Sequence, residues 1–123
     1  MLRDAGIKRI YNTILRYHSR YLESHGVRLP ALKDSRGNYI RDALVLVYLA
    51  QGYPNTKPVT KVELTEFIRR FYPNTADVQQ ARHLGMQKGW NIVSGTRHNG
   101  TITGGRYQLI SLEEPYPAFR VQR

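Results

Sequence analysis

Cysteine is absent from the 123 residues, which removes disulfides, a thiolate nucleophile and the usual finger and ribbon zinc sites together. Acid is scarce: nine Asp and Glu stand against 19 Lys and Arg, a formal net charge of +10 at pH 7. Long apolar runs are missing too. The longest, Ala43 to Ala50, is far below the roughly 20 residues a membrane helix needs, so no membrane partner is expected. The opening Met-Leu-Arg-Asp-Ala-Gly lacks the basic, apolar, small-residue order of a signal peptide, and a cytoplasmic location is the expectation. The four histidines, His18, His25, His83 and His98, have no metal-ligand spacing. Nor does a nuclease-type acidic pair with a following Lys occur, so the chain by itself is expected to have no cofactor, no metal and no catalysis.

What is present is enough apolar material for one domain: 41% hydrophobic residues, with nine Tyr, three Phe and one Trp. The excess charge therefore belongs to a folded surface rather than to a disordered tail, and it points to a polyanionic partner, DNA or RNA in the cytoplasm. Charge is spread evenly along the chain, so net charge alone does not locate the site.

Residues 7 to 25 place Ile7, Ile10, Tyr11, Ile14, Tyr17, His18, Tyr21 and Leu22 on one face at helical spacing, with Gly26 placed to end the helix. Lys8, Arg9, Asn12, Arg16, Ser19 and Arg20 fall on the other face, which reads most simply as solvated. Val27 to Tyr39, with Pro30 and the turn-forming Asp34-Ser35-Arg36-Gly37-Asn38, reads as a connector or irregular hairpin. Asp42 to Gln51 fits a buried strand or a helix apolar on most sides; its Leu and Ala content favours helix. Thr60-Lys61-Val62-Glu63 is a capping box opening a helix to about Phe71, with Val62, Leu64, Phe67, Ile68 and Phe71 as its buried side. Tyr72-Pro73-Asn74 then breaks the chain before a helix over 75–88, with Val78, Ala81, Leu84 and Gly85 facing inward and Gly89 ending it. Strand-like runs at 90–94 and 107–112 flank a basic, glycine-rich loop. Pro115-Tyr116-Pro117 predicts an extended exit.

That order is the order of an α+β winged helix-turn-helix with an added N-terminal helix. Residues 1–38 form the helix and connector packed on the domain, 39–114 the winged-helix domain and 115–123 an exit linker. In such an arrangement one helix offers a polar face to a DNA groove and a hairpin loop reaches beside it. Gln pairs with adenine and Arg with guanine in the major groove, so Gln79, Gln80, Arg82 and Gln87 suit base reading, with His83 as a further donor. Thr75 and Lys88 at the helix ends and Arg97, His98 and Arg106 in the 95–106 wing complete the predicted DNA-binding set. No acidic residue occurs between Asp77 and Glu113, which lowers repulsion from phosphates. Trp90 reads first as a core residue and second as a base-contacting surface.

The stretch Tyr72-Pro73-Asn74-Thr75-Ala76-Asp77-Val78-Gln79-Gln80-Ala81-Arg82-His83-Leu84-Gly85-Met86-Gln87-Lys88-Gly89-Trp90, followed by Ser94-Gly95 and Gly105-Arg106-Tyr107-Gln108-Leu109, resembles winged-helix domains attached to restriction endonucleases. The likeness covers the C-terminal half well and the N-terminal part loosely. It implies a sequence- or modification-specific double-stranded DNA-binding module on a prokaryotic nucleoid, with an HNH nuclease domain as partner C-terminal to this chain. It also allows a role in sensing N6-methyladenine, with Trp90 in the methyl-base pocket. Two alternatives use the same elements differently: a stand-alone winged-helix transcriptional regulator, and an RNA-binding module that stacks Tyr and Arg on bases.

Overall fold

The computed structural model describes residues 2–76, 78, 80–95, 105–117 and 119, of which Gln80 is described by its backbone alone. The fold is α+β: among the described residues there are four α-helices and one small antiparallel sheet.

Helix α1, Asp4–Tyr17, buries Ile7 and Ile14. The chain then widens into a π turn over His18–Leu22, tightens over Glu23–His25, and ends at Gly26 with φ 82°, a left-handed backbone that favours glycine. The π turn has a packing consequence. His18 is buried, stacks on Trp90 with ring centroids 5.8 Å apart, and its Nε2 lies 2.6 Å from the carbonyl of Val27. A carbonyl only accepts, so Nε2 carries the proton. The connector is the irregular hairpin: Lys33 bridges Tyr39, and Asp34 Oδ1 accepts from the amides of Arg36 and Asn38.

Helix α2, Arg41–Leu49, is the centre of the molecule, with Ala43, Leu44, Val45, Leu46, Val47 and Leu49 all buried. Burial on every side explains why its apolar run shows no stripe. A two-residue strand, β1 (Val59–Thr60), leads into α3, Lys61–Arg69. The capping box is complete: Thr60 Oγ1 accepts from the Glu63 amide at 3.0 Å, and Glu63 Oε1 accepts from the Thr60 amide at 3.2 Å. The other carboxylate oxygen, Oε2, takes the Tyr48 hydroxyl at 3.0 Å, which joins α2 to the start of α3. Burial and this bond push the Tyr48 phenol up to about 12. Val62 is 68% exposed, against the expectation. It shares a side with Glu66 and Arg69, one turn and two turns on, whereas Thr65 turns inward beside Leu64 and Ile68.

Helix α4, Gln80–Met86, starts later than the expected residue 75. The cause is side chains on α3. Arg69 Nε donates to the Thr75 carbonyl at 2.7 Å, and Thr65 Oγ1 accepts from the Val78 amide at 3.1 Å. Backbone groups that a helix would use are thus committed to a neighbouring element, and Thr75 and Val78 are buried under it.

Strands β2 (Asn91–Ser94) and β3 (Arg106–Ser111) pair antiparallel, and β1 adds to the free side of β3, giving the order β1-β3-β2. Asn91 faces Ser111 while Ile92 faces Leu109, so Ile110 is an extra residue and stands exposed. Gly95 donates to the Arg106 carbonyl at the base of the hairpin. The exit is docked rather than free. Tyr116 donates its amide to the Gly89 carbonyl at 2.8 Å, and Phe119 fills the space a Cβ on Gly89 would need, its ring 2.7 Å from that position. One core runs through all of this, from Ile7, Ile14 and Leu22 to Leu84, Trp90 and Leu109, so the N-terminal segment shares the domain's interior. No helix among the described residues is long and apolar enough to cross a membrane.

Candidate nucleic-acid interface

A short helix can present a polar face only if its other face is held firmly. In α4 the inner face is Ala81, Leu84 and Gly85, all buried. Gly85 sets the depth of docking. A Cβ there would lie 3.1 Å from the Ile92 carbonyl oxygen and 3.4 Å from that of Trp90, so its absence lets α4 lie directly on the backbone entering β2. After Met86 the backbone turns at Gly89, φ 93°, and the Trp90 amide returns to the Leu84 carbonyl.

The outer face holds Arg82, His83, Met86 and Gln87, all exposed. Arg82 and Met86 are one turn apart, so a guanidinium fork and a flexible thioether chain stand side by side. Met86 was not singled out from sequence, although its i, i+4 spacing from Arg82 was available. An apolar chain in that position suits contact with a thymine methyl. Arg106 is exposed on β3, opposite Thr60 at the start of α3. The base of the hairpin and the amino end of α3 therefore adjoin, with the Lys61 amide donating to the Gly105 carbonyl at 2.9 Å.

Not every predicted residue reaches this face. Thr75 is 6% exposed, and its hydroxyl points inward, so its predicted DNA contact is corrected to a core position. Trp90 is 0% exposed, covered by His18 on one ring face, and its Nε1 donates to the Arg28 carbonyl at 2.8 Å. A ring buried on all sides cannot take a methylated base, which corrects the methyl-pocket expectation. Lys88 is half-buried, with Nζ 3.9 Å from Asp42 Oδ2, and so is drawn back toward the first turn of α2. Gln79, Arg97, His98 and the side chain of Gln80 lie outside the described residues.

One cation was missed because only the fold brings it near. The Arg28 amide donates to the Lys88 carbonyl, and its own carbonyl accepts from Trp90, 62 residues away in sequence. Those two bonds fix exposed Arg28 at the carboxyl end of α4. Among the described residues no group of three or more His, Asp or Glu side chains is placed to hold a metal ion. The chain matches no protein-family model, no curated protein and no solved structure.

Proposed function

We propose that this chain is a double-stranded DNA-binding module of the winged helix-turn-helix kind, in which α4 reads the major groove and the 95–106 hairpin contacts the adjacent backbone. The observation that carries the reading is the split character of α4: an inner face sunk onto β2 by Gly85, and an outer face of Arg82, His83, Met86 and Gln87 without a carboxylate. The element order supports it as well. A capped helix, a link, a second helix and a two-stranded hairpin, with a short third strand pairing beside the hairpin, follow one another in the order that a winged helix would need.

The specificity comes from hydrogen bonds between Arg82 or Gln87 and base edges, and the general affinity comes from phosphate contacts by Arg106 and the hairpin. The further reading, a specificity module of a restriction endonuclease with an HNH nuclease partner, draws its support from the resemblance of residues 72–109. Trp90 has no part in a methyl-reading role.

Fluorescence anisotropy with matched duplex DNA, single-stranded DNA and single-stranded RNA tests the proposal. Tightest binding to the duplex, with affinity falling steeply as salt rises, is the expected result. Tighter binding to single-stranded RNA would replace this reading with an RNA-binding one.

A further inference from the structure

The irregular hairpin and the end of α3 form a feature that the duplex reading leaves unused. Asp34 Oδ1 holds the turn by accepting from the Arg36 and Asn38 amides at 2.9 and 3.0 Å, and Gly37 takes the left-handed backbone, φ 83°, that closes it. The hairpin is then pinned at Tyr39. Its hydroxyl donates to Asp4 Oδ1 at 2.7 Å, and its carbonyl accepts from the Tyr72 hydroxyl. Tyr39 and Phe71 meet edge to face, with centroids 5.3 Å apart. The turn and the helix end together line a hollow of about 270 Å³ with Asp34, Gly37, Asn38, Tyr39, Phe71 and Tyr72.

Both tyrosine hydroxyls are committed, so what the three half-buried aromatic side chains offer the hollow is ring surface. Each ring also carries a cation of this chain. Lys33 Nζ lies 4.9 Å from the Tyr39 centroid, the Arg41 guanidinium 4.7 Å from that of Tyr72, and the Arg70 guanidinium 5.4 Å from that of Phe71. A ring has two faces, and a cation covers one of them. Aromatic surface bordered by cations is the combination that holds a nucleotide, with the base stacked on a ring and the phosphate met by the cations. A base laid on one of two perpendicular rings meets the other edge-on, and both geometries are favourable. An alkylammonium group also favours aromatic walls, but Lys33, Arg41 and Arg70 already stand on these and would repel it.

The rim decides which base fits. Asp34 uses Oδ1 for the turn, and its Oδ2 has no partner among the described residues. A carboxylate only accepts, so it selects a base edge that donates. Guanine presents two adjacent donors, its ring N–H and its amino group, beside a carbonyl that the Asn38 amide can meet. We infer that this hollow binds an unstacked nucleobase together with its phosphate, guanine in preference to the others. The inference goes beyond the duplex reading and does not rest on it, since it uses no residue of α4 or of the 95–106 hairpin. A free guanine nucleotide and an unpaired guanine in a strand supply the same chemistry.

The test titrates the full chain with GMP, AMP and guanosine and follows the backbone amides by NMR. GMP should shift the amides of Gly37, Asn38 and Phe71 and bind about tenfold more tightly than AMP. Asp34→Asn keeps an oxygen for the turn but not the second acceptor; it should erase the preference for GMP and leave AMP binding as in wild type. Lys33→Gln/Arg41→Gln should bring GMP down to the affinity of guanosine. A thymine-only DNA strand, with and without one central guanine, separates the two sources. Guanine-dependent binding tighter than that of GMP assigns the hollow to unpaired nucleotides in a strand, and weaker or equal binding assigns it to the free nucleotide. No shift at millimolar GMP, shifts confined to residues away from the hollow, equal affinity of wild type for GMP and AMP, or tighter binding of tetramethylammonium than of GMP would overturn the inference. Each of those results leaves the α4 reading standing, and failure of wild type to bind any duplex leaves this inference standing.

Discussion

Helices α2 and α4 differ in what surrounds them. Every residue of α2 from Ala43 to Val47 is buried, whereas α4 buries a narrow row and leaves Arg82, His83, Met86 and Gln87 outside. The first is shaped mainly by packing and carries no charge in its middle. The second is short and would not persist by itself; it is held by Leu84, by the Gly85 contact with β2 and by the docked Tyr116 and Phe119. Under the proposed duplex-binding function, stability and recognition fall to different helices, and they meet at one surface, the inner face of α4.

Substitutions can break that division in a graded order. Leu46→Ala in α2 should have the largest effect, about 2–5 kcal/mol of lost stability in urea unfolding, because Leu46 is enclosed in the core and its truncation leaves a cavity. DNA binding should disappear with the fold. Gly85→Ala comes next. Its methyl meets the Ile92 carbonyl, a backbone atom that cannot swing away, so about 1–3 kcal/mol should be lost. Duplex affinity should also fall, because the outer face moves with the helix.

Arg82→Ala separates the two roles most cleanly. Its side chain is exposed, so stability should stay within about 0.5 kcal/mol of wild type. Discrimination between duplex sequences should fall by about 1–3 kcal/mol. A comparable loss of stability would show that α4's outer face is structural after all.

The smallest effect lies at the junction of α2 and α3. Tyr48 donates to Glu63, and its phenol is raised from the ordinary 10 to about 12 by burial and by that bond. Folding therefore holds the phenol proton more tightly than the unfolded chain does. The resulting stability is complete below about pH 10 and is lost as pH rises toward 12. In alkaline unfolding, Tyr48→Phe should lose stability less steeply than wild type across that window; parallel curves would mean the bond contributes nothing.

Much of the scaffold was legible because its causes are local. The capping box at Thr60–Glu63 and the helical stripe of α1 need only neighbours in sequence. So do the apolar run of α2 and the left-handed glycine at Gly26. The departures have distant causes. Helix α4 begins at Gln80 because Thr65 and Arg69, on another helix, hold the backbone of Val78 and Thr75. Strand β1 has only two residues and exists through its pairing with Arg106 and Tyr107, so no periodicity announces it. The exit packs because Gly89 leaves room for Phe119. At the candidate site, Arg82, His83 and Gln87 were visible as the polar side of a helix. Thr75 and Trp90 fell inside because α3 and the π turn of His18 cover them. Arg28 could not be found from its neighbours, since the bonds that place it come from Lys88 and Trp90.

Selection from a pool of randomised duplexes, sequenced after binding to wild type and to Arg82→Ala, tests the central claim most directly. The account predicts that wild type enriches a defined short sequence and that Arg82→Ala, folded to the same stability, binds with that preference relaxed at one or two adjacent base pairs. No enrichment by wild type, or the same enrichment by both proteins, would contradict it.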